Sequence, residues 1–370
     1  LPEGRITVGV FMGGASAERE ISLASGKMIA EHLPRDRYDV VLLDPLALMA
    51  RNPELTPALR QKAERLLSGA AAEPEVFAER DRMLPSGLRE QIQDAAVSVS
   101  SATTALGPGA GRPVDVAFLA LHGRFGEDGT IQGTLDLLGV PYVGSGTLAS
   151  ALAIDKVMAK KVLAADGVPV PRGLVIDRAA FRKAPDAESA RAAAAFLPSV
   201  TKPARQGSSI GMSLVEKPEE MRAALEKAFA HDARVLVEER LFGTELTVGV
   251  LGNGQVEALP VVEIVPKKKF FDYEAKYDPE LTDEICPARI PEDAAARAQD
   301  LALRSHRSLG CRGLSRVDMM LTADGPVVLE VNTMPGMTVN SLLPKAAKAA
   351  GISFPALLDR LVRLALEPEA

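Results

Sequence analysis

Residues 313–342, GLSRVDMMLTADGPVVLEVNTMPGMTVNSL, constrain the fold more than any other stretch. Two apolar runs flank Thr322-Ala323-Asp324-Gly325-Pro326, and Asp-Gly between β-prone runs is a hairpin signal in which Gly325 takes the left-handed turn position. A turn centred on Asp324 sets Asp318 opposite Glu330 and Arg316 opposite Asn332. Side chains on strands repeat with period 2, so all four share one face, while Val317, Met319, Leu329 and Val331 form the core face. A slip of one residue would exchange the faces.

Two carboxylates and an amide carbonyl on one face make an oxygen-only set. Such a set suits a Mg²⁺ ion that keeps waters and shares substrate phosphates. Two facing carboxylates repel unless a cation lies between them, which favours a metal. Arg316 beside them can clamp an anion. A solvated face with a cross-strand arginine pair is the plain alternative. Beyond Asn332, residues 333–337 leave the sheet and present backbone amides able to hold an oxyanion or a phosphate.

At 370 residues the chain is long enough for two or three domains. A net charge of −6 argues against nucleic acid as the main partner. The two cysteines, Cys286 and Cys311, form neither a disulfide framework nor a zinc spacing. No apolar run reaches membrane-spanning length, and the N-terminus reads as a strand rather than a signal peptide, so the expectation is a cytoplasmic protein without a membrane partner.

Along the chain, residues 5–12 read as a buried strand ended by Gly13-Gly14. Ser16 caps the helix that follows, an α/β opening that lacks the lysine of a Walker loop. Glu18 falls in the first helical turn, where favouring the helix dipole is sufficient reason for a carboxylate. Residues 38–44 are a second strand. Residues 51–113 carry two Ala/Glu/Arg-rich helical patches and end in the flexible-looking SVSSATTALGPGAG; no chemistry is assigned to them. A third strand, 114–121, runs into His122, where open α/β sheets bind ligands; the imidazole can donate to a phosphate or carboxylate, or simply cap the loop. Residues 149–165 read as one helix with Ile154, Met158 and Val162 inward and Lys156, Lys160 and Lys161 on a solvated side.

Lys202 enters the polar glycine loop 204–212. There Gly207 and Gly211 allow close backbone approach to phosphates, and Ser208 and Ser209 offer hydroxyls; a plain hairpin is the alternative. A helix spans 218–231, and a strand spans 234–238. Glu238, Glu239, Leu241 and Glu245 frame a turn whose acidic groups can accept from an adenine amino group and ribose hydroxyls, or serve only edge-strand solubility. A hairpin of 245–251 and 256–265 follows, then KKKFFDYEAKY (267–277), a loop of the kind that carries function. Helices at 292–309, 346–350 and 354–366 complete the pattern.

In order, these pieces resemble the D-alanine–D-alanine ligases of the ATP-grasp superfamily. The resemblance is carried by GGASAEREISLASG (13–26), LHGRFGEDGTIQG (121–133), YVGSGTLASALAIDK (142–156), TKPARQGSSIGMS (201–213), FDYEAKY (271–277), GLSRVDMM, LEVNTMPGMT and NSLLP. It covers nearly the whole chain except 51–113. It implies an α/β (α+β) fold of three domains. These are an N-terminal α/β substrate domain, 1–145, with 51–113 as an insert; a central ATP-grasp subdomain, 146–239; and a C-terminal one, 240–370. ATP would be pinched between two antiparallel sheets.

The resemblance also implies ATP-dependent joining of two D-alanines through a D-alanyl phosphate, for peptidoglycan precursors, in a homodimer. Two Mg²⁺ ions, or Mn²⁺ in their place, would be held by Asp318 with Glu330 and by Glu330 with Asn332. Lys156 and Lys202 would meet the ATP phosphates, Glu238 and Glu245 the nucleoside, with Ser209, Glu239, Leu241 and Lys276 also in the ATP site. Glu18 would hold the first ammonium, and Arg316 and the Gly336 amide the oxyanion. Ser341 and Leu342 would line the second D-alanine site, with His122 on the substrate side. Ser208 and Tyr277 would form a hydrogen-bonded group with Glu18, and 267–277 would be the lid. Met334 stands where many relatives are expected to carry serine. Tyr277 argues against an ester-forming relative, which lacks that tyrosine. An intact set of Asp318, Glu330 and Asn332 argues against a non-catalytic nucleotide binder.

Overall fold

The computed structural model describes residues 4–14, 18–46, 61, 114–123, 125–207, 209–266 and 282–368. The expectations for 51–113 and 267–277, and for Ser16, Ser208, Lys276 and Tyr277, therefore lie outside the described residues, residue 61 apart.

The strands of the first region are β1 (Ile6–Phe11), β2 (Tyr38–Leu43), β3 (Val116–Leu119) and β4 (Tyr142–Val143), with helices α1 (Arg19–His32) and α2 (Thr130–Leu138). The sheet is parallel, in the order β2-β1-β3-β4. Its strands are apolar on both faces, as parallel strands must be when both faces are covered. Val8, Val10 and Phe118 look to one side; Phe11, Ala117 and Leu119 look to the other.

The next stretch holds α3 (Thr147–Ile154), α4 (Lys156–Ala165), β5 (Gly173–Asp177), α5 (Arg178–Lys183), α6 (Pro185–Ala195), β6 (Ser199–Pro203), β7 (Ser213–Val215), α7 (Met221–Phe229) and β8 (Arg234–Glu239). Its antiparallel sheet runs β5-β8-β6-β7. The third sheet is built of β9 (Thr244–Gly252), β10 (Val256–Ala258), β11 (Val262–Pro266), β12 (Thr282–Ile285), β13 (Gly313–Thr322) and β14 (Gly325–Asn332). Helices α8 (Glu292–Ser308), α9 (Leu342–Ala349) and α10 (Phe354–Ala365) accompany it. Its order is β12-β11-β9-β13-β14, with β10 beside β9.

Three departures from the sequence reading matter. The stretch 149–165 is two helices. The Asp155 side chain accepts from Met158 N at 3.2 Å and starts α4 afresh. A restarted helix does not inherit the phase of the one before it. Val157, Ala159 and Leu163 are therefore buried together with Lys156 and Lys160, Ile154 and Val162 are only half-buried, Met158 is exposed, and of the three lysines only Lys161 is solvated. The long second arm of the 245–265 hairpin is two strands, interrupted before Val262 at Leu259-Pro260-Val261, where proline lacks a ladder donor. The central hairpin turns one residue tighter than expected, Thr322 pairing Gly325, and a bulge between Asp318 and Met319 restores the count, so that Asp318 pairs Glu330 and Arg316 pairs Asn332. The bulge gives the core place to Val328 and turns Leu329 toward the cleft.

Candidate functional site

Two cavities meet along β13 and β14. The larger, about 810 Å³, is lined by Glu18, His122, Glu127, Asn332, Gly336 and Ser341 among others. The smaller, about 470 Å³, runs between the second and third sheets and is lined by Lys202, Ser209, Glu238, Leu241, Glu245 and Asp318 among others. Lys156, Gly207, Arg316, Glu330 and Leu342 line both. The hairpin thus forms the wall where the two spaces join.

Each described carboxylate of this wall meets a cation. Arg316 grips Asp318 with two parallel bonds, Nε to Oδ1 at 2.8 Å and Nη2 to Oδ2 at 2.7 Å. Thr247 on β9 donates to Oδ1 at 2.6 Å. Glu330 lies 3.1 Å from the Lys156 ammonium, which also donates to the Gln206 carbonyl at 2.8 Å. The repulsion invoked to favour a metal between facing carboxylates is therefore already relieved by protein cations, and that argument falls. The donor chemistry still fits one. Asp318 Oδ2 keeps a lone pair after accepting from Arg316, and Asn332 Oδ1 keeps one after accepting from Met334 N at 2.8 Å. Among the described residues no group of three His, Cys, Asp or Glu side chains is suited to a metal. A cation here would draw on the Asn332 amide and on water or phosphate oxygens, as Mg²⁺ does.

Glu238 is buried on β8 and bound by two ammonium groups: Lys160 at 2.5 Å from Oε1 and Lys202 at 2.6 Å from Oε2. Burial opposes the Glu238 charge, but Lys202 and then Lys160 outweigh it and hold the carboxyl below its usual range. Burial likewise opposes the Lys202 charge, and Glu238 more than offsets it. For Lys160 burial wins, with Lys202 adding repulsion, and its pKa falls to about 8. Glu239, on the opposite side of the strand, is gripped by Arg172 with contacts of 2.6–2.9 Å. Its side chain is committed there, so the reading of Glu239 as an acceptor for a nucleoside applies to its main chain alone. Glu245 remains in the cleft. Glu263 on β11 also lines the cleft, held below its usual pKa first by its bond to Arg289.

In the larger cavity Glu18 is the residue before α1 rather than in its first turn, and its side chain makes no capping bond; besides favouring the helix dipole, this buried carboxylate faces the cavity. A Cβ placed on Gly207 would lie 3.6 Å from Glu18 Oε2 and 3.8 Å from Glu127 Oε2, so the glycine loop passes close over two carboxylates. Glu127 accepts from Gly123 N at 2.8 Å and stands 3.7 Å from His122 Nδ1. Ser341 precedes α9, and its hydroxyl meets Thr338 N at 3.1 Å and Thr338 Oγ1 at 2.8 Å, beneath Gly336. Lys345 and Glu284, paired at 2.5 Å, close another side. Met334 buries its side chain in the apolar cluster of Phe11, Leu119 and Tyr142; its main chain, not its side chain, serves Asn332.

Sequence reasoning missed Glu127, Thr247, Lys160 and Glu263. Thr247 becomes visible only once β13 is known to pair β9, setting it beside Asp318. Lys160 was hidden by the wrong helical phase. Glu127 and Glu263 carry no spacing signal.

The description "D-ala D-ala ligase N-terminus" matches residues 7–145, and "D-ala D-ala ligase C-terminus" matches residues 162–363. The D-alanine–D-alanine ligase of Syntrophobacter fumaroxidans is 41% identical over 98% of this chain and 98% of its own. Among solved structures, the VanG D-Ala:D-Ser ligase of Enterococcus faecalis is 34% identical with a TM-score of 0.73, covering 98% of this chain and 100% of that one. The D-alanine–D-alanine ligase of Bacillus anthracis, complexed with ATP, is 29% identical with a TM-score of 0.69, covering 98% and 97%.

Proposed function

The chain belongs to the D-alanine–D-alanine ligase family, and from that premise we propose that it joins two D-alanines at the expense of ATP, for peptidoglycan precursors. The observation that carries the reading is the shared wall. A cleft that holds Lys156 and Lys202 and a cavity lined by carboxylates, a guanidinium and backbone amides touch at Lys156, Arg316 and Glu330. Phosphoryl transfer between two substrates requires such adjacency.

A carboxylate is a poor electrophile. The carboxylate of the first D-alanine attacks the γ-phosphorus of ATP, the bond to ADP breaks, and an acyl phosphate results. The amine of the second D-alanine attacks the acyl carbon, phosphate leaves, and the amine loses a proton. Glu18 holds the first ammonium, with His122 beside it on the substrate side. Lys156, Lys202 and Ser209 face the phosphates; Lys276 belongs to the same ATP site, and Ser208 to the hydrogen-bonded group with Glu18 and Tyr277. Glu238, Glu245, Leu241 and the main chain of Glu239 face the nucleoside. Arg316 and the Gly336 N–H stabilise the tetrahedral oxyanion. Ser341 and Leu342 line the second amino-acid site, and Tyr277 favours amine over hydroxyl acceptors. Asp318, Glu330 and Asn332 are the residues that would hold two Mg²⁺, or Mn²⁺; such ions offset phosphate charge in transfer. The domain division 1–145, 146–239 and 240–370 belongs to the same proposal, with a cytoplasmic setting. Among the described residues no helix is long and apolar enough to cross a membrane. A homodimer fits Leu137, 91% exposed on α2, and Leu148, 72% exposed on α3.

The test is phosphate release with ATP and Mg²⁺ in the presence of D-alanine, L-alanine, D-lactate or D-serine. D-alanine alone is expected to support full turnover to a dipeptide. The D-serine arm addresses the likeness to the D-Ala:D-Ser ligase. A mixed dipeptide formed in preference to D-alanyl-D-alanine would overturn the proposed acceptor.

A further inference from the structure

We propose that Lys160, which does not itself line the nucleotide cleft, is a positioning residue that gives the buried Glu238 group its net positive charge by taking up Glu238 from behind, so leaving Lys202 charge to spare for the phosphates of ATP. The inference rests on the reading of that cleft as an ATP site.

Glu238 carries one negative charge and is 2% exposed; among the described residues it pairs with the ammonium groups of Lys160 and Lys202, each 8% exposed. With Lys202 alone the buried pair would be neutral, and an anion entering the cleft would meet no surplus charge from this group. With both lysines the group carries one positive charge at neutral pH. Fixed charge in a water-poor cleft attracts a polyanion far more strongly than the same charge in bulk water.

Geometry assigns separate roles to the two lysines. Lys202, on β6, and Glu238, on β8, line the cleft. Lys160 comes from the buried side of α4, one turn after Lys156, and reaches the opposite carboxylate oxygen. Room for the glutamate is built into the sheet: a Cβ on Gly173, its register partner on β5, would stand 3.0 Å from Glu238 Cγ. The group is therefore placed by packing as well as by charge. Leaving one of two lysines without its carboxylate is costly, whereas leaving one carboxylate with one lysine is not, so the chain does not need Lys160 for charge balance within the fold.

The titration of Lys160 fits the same role. Its surroundings are burial, Glu238 from β8, Lys202 from β6 and the more distant Glu330 from β14, and together they bring its pKa to about 8. Raising the pH through that value removes the surplus charge while Lys202 and Glu238 stay ionised. ATP affinity should then weaken above pH 8.

The experiment measures binding of ATP with Mg²⁺, and separately of adenosine, to the full chain by calorimetry at pH 7 and pH 9. Wild type should lose affinity for ATP by about fivefold or more between the two pH values. Lys160→Met should bind ATP about tenfold more weakly than wild type at pH 7 and show no further loss at pH 9. Lys160→Arg, charged at both, should keep its affinity across the range. Adenosine, which has no phosphate, should bind wild type and Lys160→Met alike. Lys160→Gln, with a matched thermal melt, guards against a folding defect in the methionine variant. Equal ATP affinity of wild type and Lys160→Met at pH 7 overturns the inference. So does a parallel loss of adenosine binding, which would mark Lys160 as merely structural. Failure of wild type to bind ATP at all would instead overturn the reading of the cleft.

Discussion

The parallel sheet β2-β1-β3-β4 and the antiparallel sheet β5-β8-β6-β7 each have four strands, yet they bury their apolar faces in opposite ways. One face of the first sheet lies in a cluster with Leu251, Ile264, Leu343, Leu357 and Leu361, residues from the far end of the chain. The second sheet keeps a cluster drawn only from its own neighbourhood, including Ile176, Phe181, Leu225, Phe229 and Val237. A buried charged tie reinforces the first arrangement. Asp359 on α10 accepts from Tyr38 OH at 2.8 Å and Arg37 Nη1 at 2.9 Å on or next to β2, and pairs with Arg363 on its own helix. The first sheet is thus locked to the C-terminal helices, whereas the second is a body with a core of its own. It joins the third sheet's cleft wall through the Lys156 contacts to Gln206 and Glu330. Separate cores on the two sides of a cleft allow its width to change without breaking either one.

The largest expected effect comes from breaking the junction itself. Glu330→Gln keeps the shape and removes the charge that faces Lys156 and both cavities. Turnover in the phosphate-release assay should fall at least ~100-fold. The melting temperature should barely change, because the Glu330 side chain is 32% exposed. Turnover within a factor of ten of wild type would remove Glu330 from the catalytic group.

Leu225→Ala tests the independence of the second sheet. Leu225 is fully buried in that sheet's own cluster, and its truncation should cost ~2–5 kcal/mol. Hydrogen exchange should quicken in residues 173–239 and leave β1 and β3 protected. A parallel loss of protection in both sheets would show that they unfold as one unit.

Asp359→Asn probes the opposite region. The aspartate is buried, and the asparagine leaves its arginines without a counter-charge, a loss of ~1–3 kcal/mol in denaturant unfolding at pH 7. Burial works against ionisation of Asp359, but Tyr38 and Arg37 hold its carboxyl below the usual range. Its contribution is therefore complete above the unfolded value of about 4 and fades as pH falls through the lower folded value. The gap between mutant and wild type should narrow as pH falls below the unfolded value. A gap that persisted there would mean that the effect comes from shape rather than charge.

The smallest effect is expected outside both regions. Replacing residues 98–111 with a short Gly/Ser linker should leave turnover unchanged, since their Ser/Thr/Gly/Ala composition offers little apolar surface to bury. A large loss of turnover with an intact fold would assign that segment a role in the reaction.

Much of this was legible beforehand, though not always for the right reason. Pairing of Asp318 with Glu330 was expected from a turn centred on Asp324. It arises from a tighter turn and a bulge whose offsets cancel. The burial of Lys156 and Lys160 was not legible, because periodicity read across Asp155 treats two helices as one. Nor was the engagement of Glu238 by two lysines, which depends on α4 lying behind β8.

By itself the sequence determined the alternation of strands and helices, the motif residues of the family, and the face of β13 and β14 that carries oxygen donors. Those features are local: they follow from periods of two and 3.6 residues and from turn chemistry. Only the tertiary structure decided which charges meet. Arg316 turns to Asp318, Thr247 lies beside it through the pairing of β13 with β9, and Lys160 rather than solvent answers Glu238. The physical reason is that the cost of burying a charge is met by whichever opposite charge the packing of distant segments brings within about 3 Å, and the sequence separation of those partners is unrelated to their distance in space.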